Sequence, residues 1–127
     1  MTMSIKFSLS DLGHTWILDL DGTIVKHNGY KTDGVDTFLP GAKKFLSDIP
    51  SKDMIIFITA RESKYRQITE DFLKANKIRY DYIIFDAPSG ERILLNDKKP
   101  SGLNTSYSAN LERDREFCIE FEENPNL

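Results

Sequence analysis

Two aspartates separated by one residue, Asp19 and Asp21, end a short apolar run and are followed at once by Gly22 and Thr23. Side chains of a β-strand alternate between two faces, so both carboxylates would share a face if the strand continued through them. Two carboxylates aimed at one point repel each other unless a bound cation or a proton compensates their charge. The spacing therefore predicts chemistry at the end of this strand.

Two further polar side chains follow other predicted strands. Thr59 ends the apolar run at residues 54–59, and Asp97 comes after Asn96 and the run at residues 92–95. Because ligands bind at the carboxyl ends of parallel strands, we expect these side chains to meet Asp19 and Asp21 at one edge of the sheet. Such oxygen donors suit Mg²⁺, which binds through few carboxylates, several waters and a phosphate.

Phosphoryl transfer is the chemistry that this set could perform. One aspartate can attack phosphorus as a nucleophile, and the other can donate a proton to the leaving oxygen and later activate water. Thr59 and the amide of Ala60 are placed to hold phosphate oxygens, and a cation should balance the transferring group. Taken singly, Thr59 and Asp97 are also common turn residues. A calcium loop is excluded, because Ile24 and Tyr30 stand where that pattern needs Gly and Glu.

Alternating strands and helices must position these residues. Apolar runs predict strands at 14–20, 54–59, 82–85 and 92–95, and apolar residues three or four apart predict helices at 42–48 and 64–76. The rest is predicted as a loop at 22–40 with a small hairpin near 27–30, short elements at 107–111 and 115–121, and a frayed end from 122. This order predicts an α/β fold, a three-layer αβα sandwich around a mainly parallel, Rossmann-like sheet. One domain should span residues 1–127, with its core at about 14–111.

Composition narrows the classes of partner. The 127 residues carry a net charge of −3, and the pI near 5.4 leaves no electrostatic footprint for nucleic acid, so no nucleic-acid partner is expected. Cys118 is the sole cysteine, which fits a reducing compartment. The first twelve residues lack the apolar core of a signal peptide, and no apolar run approaches the roughly 18 residues of a membrane span. We therefore expect a cytoplasmic protein without a membrane partner.

Three segments resemble signatures of the haloacid dehalogenase superfamily of phosphohydrolases. DLDGT at 19–23 looks like the first signature, ITAR at 58–61 the second and LLND at 94–97 the fourth. The resemblance implies that Asp19 is a nucleophile forming an aspartyl-phosphate and that Asp21 is the general acid and base. It also implies Mg²⁺ held by Asp19, the backbone carbonyl of Asp21 and Asp97.

The same resemblance supplies expectations for substrate binding. Thr59 would bind the phosphate, with Ala60 and Arg61 beside it. The third signature departs from the family, because its usual lysine position, after the strand at 82–85, holds Asp86. Three basic residues could substitute for this lysine: Arg92, Lys98 and Lys99. In the loop, His27 could recognise substrate. The fourth signature often carries two acids, but Asn96 replaces the first of them.

The chain resembles the members of this family that lack a cap domain. Residues 24–53 and 61–91 are too few to fold into a lid, so the site should be open. An open site takes a large substrate or borrows a neighbouring subunit, which favours a homo-oligomer, a dimer or a tetramer. The loop with His27, Tyr30 and Lys31 is then the natural specificity element.

Three functions remain open at this point. The segment 91–112 looks like small phosphatases found beside bacterial capsule and lipopolysaccharide genes, which favours a small phosphorylated substrate such as a precursor of surface polysaccharide. A second alternative keeps the chemistry but acts on the 3′-phosphate end of a nucleic acid. A third, a degenerate binding domain without catalysis, is motivated by the missing lysine and the single acid of the fourth signature.

Overall fold

A computed structural model describes residues 4–127 of the chain. Its strands are β1 (Ile5–Leu9), β2 (Thr15–Leu18), β3 (Met54–Ile58), β4 (Tyr82–Ile84) and β5 (Ile119–Glu123). Its helices are α1 (Gly29–Thr32), α2 (Ala42–Asp48) and α3 (Arg66–Ala75), and a 3₁₀ turn at Ser63–Tyr65 leads into α3. The predicted α/β class with parallel strands is confirmed.

The strands form two parallel sheets within residues 4–127. β2, β3 and β4 make one sheet in that order, and β1 pairs with β5 in the other. Leu18 lies opposite Phe57, and Ile58 lies opposite Ile84, so β2, β3 and β4 end at the same edge. This register brings the residues after β2 and β3 together, as ligand-binding edges of parallel sheets require.

Aromatic side chains join the second sheet to the first. The Trp16 ring of β2 lies 5.4 Å from Phe45 of α2 and 5.0 Å from Phe121 of β5, measured between ring centroids. The Phe45 ring also lies 4.5 Å from that of Phe117, just before β5. Tilted and edge-on pairs of this kind add about 0.5–1.5 kcal/mol each beyond the area that they bury. The strand β5 therefore packs against the hydrophobic core through its partly buried aromatic residues.

Several predicted elements differ from the observed ones near the chain ends and in the first loop. β1 was not predicted, although Ile5, Phe7 and Leu9 alternate with polar residues. Residues 107–111 form no strand in the described chain, and α1 replaces the hairpin expected near 27–30. The end expected to fray from residue 122 instead belongs to β5, where Glu122 and Glu123 pair with Ser8 and Leu9.

The fourth strand predicted at residues 92–95 is also wrong. These residues pair with no strand, and Ile93 and Leu95 are 82% and 89% exposed. A parallel strand needs a crossover of a dozen or more residues, but only residues 85–91 separate β4 from this run. The composition of residues 92–95 is therefore typical of a strand, but the connection from β4 is too short to place these residues parallel to β4.

Hydrogen bonds of His14 and Asp53 connect the starts of β2 and β3 to the end of β1. The His14 ring contacts Asp53 Oδ2 through Nδ1 at 3.0 Å and the Ser10 carbonyl through Nε2 at 2.9 Å. Carboxylate and carbonyl oxygens accept hydrogen bonds, so each ring nitrogen that bonds to one of them does so as the donor. Asp53 also accepts from Trp16 Nε1 at 3.0 Å and from the His14 backbone N–H at 3.0 Å.

The pKa of Asp53 makes part of the stability depend on pH. Burial acts to raise that pKa, but the hydrogen bonds from Trp16 and His14 outweigh it and hold the pKa below its ordinary value. A carboxyl group whose folded-state pKa is depressed stabilises the fold above its unfolded pKa, and the contribution is lost as the pH falls through the folded pKa.

We therefore expect Asp53→Asn to lower the free energy of unfolding at pH 7 by about 1.5–3 kcal/mol, as for hydrogen bonds to a charged group. The gap from wild type should close below about pH 4, the ordinary range of an aspartate. Urea unfolding from pH 7 to pH 3 measures this, with Asp48→Asn, in an exposed pair with Lys44, as the control. A gap of equal size at both pH values would contradict the role given to Asp53.

None of the helices in residues 4–127 has the length and hydrophobicity needed to cross a bilayer.

Candidate active site

A tight turn directly after β2 presents the first acidic motif. The Leu20 carbonyl accepts hydrogen bonds from the amides of Thr23, Ile24 and Val25 at 3.2, 2.9 and 3.1 Å. Gly22 makes this reversal with φ +82°, a conformation that side chains rarely adopt. Leu20 and Ile24 are fully buried and anchor the turn to the core. The chain therefore reverses just after Asp19 and leaves that carboxylate at the open edge of the sheet.

Asp19 has one carboxylate oxygen held by its own loop and one facing a cation. Its Oδ2 accepts from Thr23 Oγ1 at 3.2 Å, and its Oδ1 lies 3.5 Å from Nη1 of Arg92. The Asp19 side chain is 35% exposed and that of Arg92 is 40% exposed. Exposed pairs contribute only about 0–1 kcal/mol, so little holds Arg92 to Asp19 when another anion arrives. Of the basic residues considered as substitutes for the family's lysine, Arg92 is the one that this structure places against Asp19.

Asp21, in contrast, is bound by an arginine of the second motif. Arg61 donates from Nη2 to Asp21 Oδ1 at 2.8 Å and from Nε to Oδ2 at 3.3 Å. The side chain of Asp21 is 14% exposed and that of Arg61 is 1% exposed. The two aspartates of the motif therefore have different surroundings, one open and one paired.

The remaining N–H groups of Arg61 bind residues outside the motifs. Nη1 donates to Asp36 Oδ2 at 3.0 Å and to Thr69 Oγ1 at 2.8 Å, and Nη2 donates to Asp36 Oδ1 at 3.0 Å. The guanidinium carbon also lies 3.8 Å from the ring centroid of Tyr30. With two bonds to Asp21, all five N–H groups are engaged. Burial acts to lower the pKa of Arg61, but hydrogen bonds and charges of Asp36 and Asp21 raise it overall.

This arrangement changes the interpretation of Arg61. It was expected beside the phosphate, whereas here its guanidinium is buried between two carboxylates. Sequence reasoning did not single out Asp36 or Thr69. A buried arginine needs an acidic partner, but the chain has twelve aspartates and no sequence pattern ranks them as partners.

Thr59 and Ala60 lie at the end of β3, beside the first motif. Thr59 is 1% exposed, and its Oγ1 accepts from the Arg61 backbone N–H at 3.0 Å. The hydroxyl hydrogen can still donate to a second acceptor. Ala60 is exposed. The turn with Asp19 and Asp21 and the end of β3 at Thr59 thus lie at one edge, as expected, whereas no strand of residues 4–127 leads to Asp97.

Asp97 and Lys98 lie in a long exposed arm, residues 89–112. A turn closed by the Lys99 N–H and the Leu103 carbonyl at 3.1 Å forms its tip. The Asp97 carbonyl accepts from Thr105 Oγ1 at 2.6 Å. A cavity of about 250 Å³ opens between the two legs and is lined by Asn96, Lys98, Asn104, Thr105, Ser106 and Tyr107. The contacts found for Asp97 and Lys98 are therefore within the arm, and their proposed roles at the site stay predictions.

His27 lies in the loop before α1. Its backbone N–H donates to Asp114 Oδ1 at 2.7 Å. Its ring Nδ1 is buried and meets no hydrogen-bond partner within residues 4–127. A role in substrate recognition stays a prediction for His27.

The donors at this edge fit a magnesium ion in part. No group of three or more His, Cys, Asp or Glu side chains that could hold a metal forms in the described part of the chain. Asp19 offers an exposed carboxylate, and the turn bonds use the carbonyls of Leu20 and Val25, which leaves that of Asp21 outside them. One carboxylate, one carbonyl, waters and a substrate phosphate form a donor set typical of Mg²⁺.

Asp86, at the position of the family's lysine, has a structural role. Its N–H donates to the Arg61 carbonyl at 2.9 Å, and its Oδ1 accepts from the Ser63 N–H at 3.0 Å. It adopts φ +60°, which aspartate tolerates better than most residues. Asp86 therefore fixes the start of the 3₁₀ turn before α3.

No family model and no curated protein matches the chain. Two solved structures, described as a Pnkp1/Rnl/Hen1 complex and as the Pnkp1/Rnl/Hen1 RNA repair complex, contain similar chains. The first match has a TM-score of 0.51 and 28% identity and covers 65% of this chain and 31% of the other. The second has a TM-score of 0.51 and 29% identity and covers 68% and 30%. This chain thus spans about a third of the length of each.

These similarities overturn one expectation. The acidic pI and the lack of a basic stripe led us to expect no nucleic-acid partner. A chain that is similar to this one over about a third of its own length is part of a structure described as an RNA repair complex. Net charge describes the whole surface and does not exclude a local contact with a strand end, so that expectation was wrong.

Proposed function

We propose that this chain is a phosphomonoesterase of the haloacid dehalogenase type that removes a terminal 3′-phosphate from a nucleic-acid strand. The observation that carries the proposal is the placement of an open Asp19 and a paired Asp21 in one tight turn, with Thr59 at the adjacent strand end. The proposal includes the three-layer arrangement of that superfamily and an open site without a cap.

Asp19 is the nucleophile in this proposal. Its Oδ1 attacks phosphorus, the bond from phosphorus to the leaving oxygen breaks, and an aspartyl-phosphate forms. The Thr23 hydroxyl bonds to Oδ2 and orients the carboxylate, which leaves Oδ1 at the open side. Water then attacks the phosphorus of the intermediate and regenerates the Asp19 carboxylate.

Asp21 moves the protons. In its protonated form it gives a proton to the leaving hydroxyl oxygen, and it later takes one from the attacking water. Each carboxylate oxygen has two lone pairs, so bonds to Arg61 leave room for that proton. The bidentate contact fixes the direction in which the group faces.

Three groups would balance the charge of the phosphate. Arg92 lies near Asp19 and is weakly held, so it can turn to a phosphate oxygen, and the hydroxyl of Thr59 and the amide of Ala60 can donate to others. Asp19 and the Asp21 carbonyl would hold Mg²⁺, with Asp97 as a third ligand if the arm brings it in. The ion would supply positive charge against the phosphate oxygens.

The substrate class is supported by two observations. The similar chains belong to an RNA repair complex, and mending a broken strand requires that blocking phosphates be removed from its ends. Asp19 is a third exposed at the sheet edge, which suits the end of a long strand.

A substrate panel tests the proposal. With Mg²⁺ present, we expect phosphate release from a 3′-phosphorylated oligonucleotide at a higher kcat/KM than from sugar phosphates or from the same oligonucleotide bearing a 5′-phosphate. Chelation with EDTA should stop the release, and added Mg²⁺ should restore it. Preference for a sugar phosphate would move the substrate to polysaccharide precursors, and no release from any ester would support a binding domain without catalysis.

A further inference from the structure

We propose that Asp36 is a positioning residue that holds the Arg61 guanidinium in the orientation in which it fixes the Asp21 carboxylate. Asp36 lies in the loop between α1 and α2, outside every motif discussed above. The inference rests on the proposed function for its kinetic part alone, because its geometric part can be measured on an inactive protein.

The contacts leave the guanidinium little freedom. Asp36 accepts from both Nη atoms at 3.0 Å, so it clamps the far edge of the group. Thr69 of α3 accepts from Nη1 at 2.8 Å, and in turn its own hydroxyl donates to the Tyr65 carbonyl at 2.8 Å. The Tyr30 ring covers one face at 3.8 Å. Because Asp36 and Thr69 hold the Nη1 side and Tyr30 covers one face, the N–H groups on the Nε side are directed at Asp21.

The charges explain why this arrangement needs Asp36. Arg61 alone could neutralise Asp21, but burying a guanidinium requires acceptors for all its N–H groups. The side chains of Asp36 and Arg61 are 2% and 1% exposed, so water cannot replace the lost acceptor freely. Without the Asp36 carboxylate, we expect Arg61 to turn toward other acceptors and the Asp21 carboxylate to lose its fixed direction.

Positioning predicts a change in kcat more than in KM. Asp36 touches no atom of the bound phosphate in the proposed mechanism, so its loss should leave substrate binding nearly intact. Misplacing a catalytic group by about 1 Å can cost about 100-fold in rate. For Asp36→Asn we therefore expect kcat to fall by about 10- to 100-fold, with KM changed by less than about threefold.

The kinetic experiment compares two acids of one loop. Asp33→Asn makes the same chemical change three residues earlier, where the carboxylate pairs with Lys26 at the exposed surface at 2.8 Å, and it should leave both kinetic parameters as in wild type. Thr69→Val keeps the side-chain volume and removes one acceptor of Arg61, so it should lower kcat less than Asp36→Asn does. It replaces Asp36→Asn in the experiment if that variant does not fold.

A spectroscopic measurement separates the positioning role from the reaction. The ¹⁵N–¹H resonance of Arg61 Nε reports the bond to Asp21. We expect Asp21→Asn and Asp36→Asn, or Thr69→Val in place of the latter, to shift or broaden this resonance, and Asp33→Asn to leave it unchanged. The proposal would be overturned if folded Asp36→Asn kept the Arg61 Nε resonance of wild type. It would also be overturned if this variant raised KM while kcat stayed unchanged. If the wild-type protein released no phosphate from any ester of the substrate panel, the proposed function alone would be refuted. The Arg61 Nε resonance would still test whether Asp36 positions Arg61.

Discussion

Replacing Asp19 by asparagine should abolish phosphate release, whereas replacing Asp21 by asparagine should slow it to a degree that depends on the leaving group. An amide is a poor nucleophile, so the first variant cannot form the aspartyl-phosphate. The second keeps the nucleophile and loses a general acid and base, which contributes about 10²–10⁴-fold.

The leaving group makes this comparison sharp. A sugar hydroxyl is a poor leaving group and needs a proton, whereas nitrophenolate leaves without one. We therefore expect Asp21→Asn to lose more kcat on a 3′-phosphorylated oligonucleotide than on p-nitrophenyl phosphate. Steady-state kinetics with both esters measures the ratio. Equal losses on the two would show that Asp21 does not protonate the leaving group.

Folding must be controlled in this pair of variants, because Asp21 binds a buried arginine and Asp19 does not. Asp19→Asn should unfold like wild type, since within residues 4–127 its carboxylate bonds to Thr23 and to the partly exposed Arg92 alone. Asp21→Asn places an amide N–H₂ group against the Arg61 guanidinium, so urea unfolding should accompany its kinetics. A stable, inactive Asp19→Asn is the result that supports the nucleophile most directly.

Arg61→Met should be the most destabilising single substitution in the site. Methionine fills similar volume but leaves the carboxylates of Asp21 and Asp36 facing each other without a cation. Removing one partner of a buried ion pair costs about 3–5 kcal/mol. The total stability of a domain is only about 5–15 kcal/mol, so we expect a large fall in the urea midpoint.

The matched control is Arg115→Met at the surface. Arg115 lies 3.8 Å from Glu112, with side chains 72% and 84% exposed. Exposed pairs contribute about 0–1 kcal/mol, so this variant should unfold like wild type. The double variant Asp36→Asn with Arg61→Met should recover part of the loss, because it removes one of the two facing charges. Equal midpoints for Arg61→Met and Arg115→Met would contradict the buried cluster.

Local pattern predicted the elements that position the first and second motifs. The apolar runs of β2 and β3 and the spacing in α2 each carry their own signal, and the parallel register follows from their alternation with helices. Asp19 and Thr59 could therefore be placed at one edge from sequence. The position of the residues after β4 could not be predicted in this way. The run at 92–95 has the composition of a strand, but its connection to β4 is too short for a parallel strand.

The partners of Arg61 were beyond the reach of pattern for a different reason. Asp36 is 25 residues away and in a loop, and Thr69 lies on α3. Their meeting depends on the three-dimensional path of the loop after Gly22. For β1 the local signal was present, because its apolar and polar residues alternate as in a strand. Its pairing with β5 could not be predicted, because β5 lies more than 100 residues later in the chain.

The arm at residues 89–112 leaves and rejoins the body at the two motifs themselves. On one side the Ala87 N–H donates to the Thr59 carbonyl at 3.0 Å, and on the other the Asp114 N–H donates to the Gly22 carbonyl at 2.9 Å. Each doubling of a flexible loop's length costs only about 0.6 kcal/mol. We therefore expect the tip at Lys99–Leu103 to accept a change in length without loss of the hydrogen bonds that anchor the arm at both motifs.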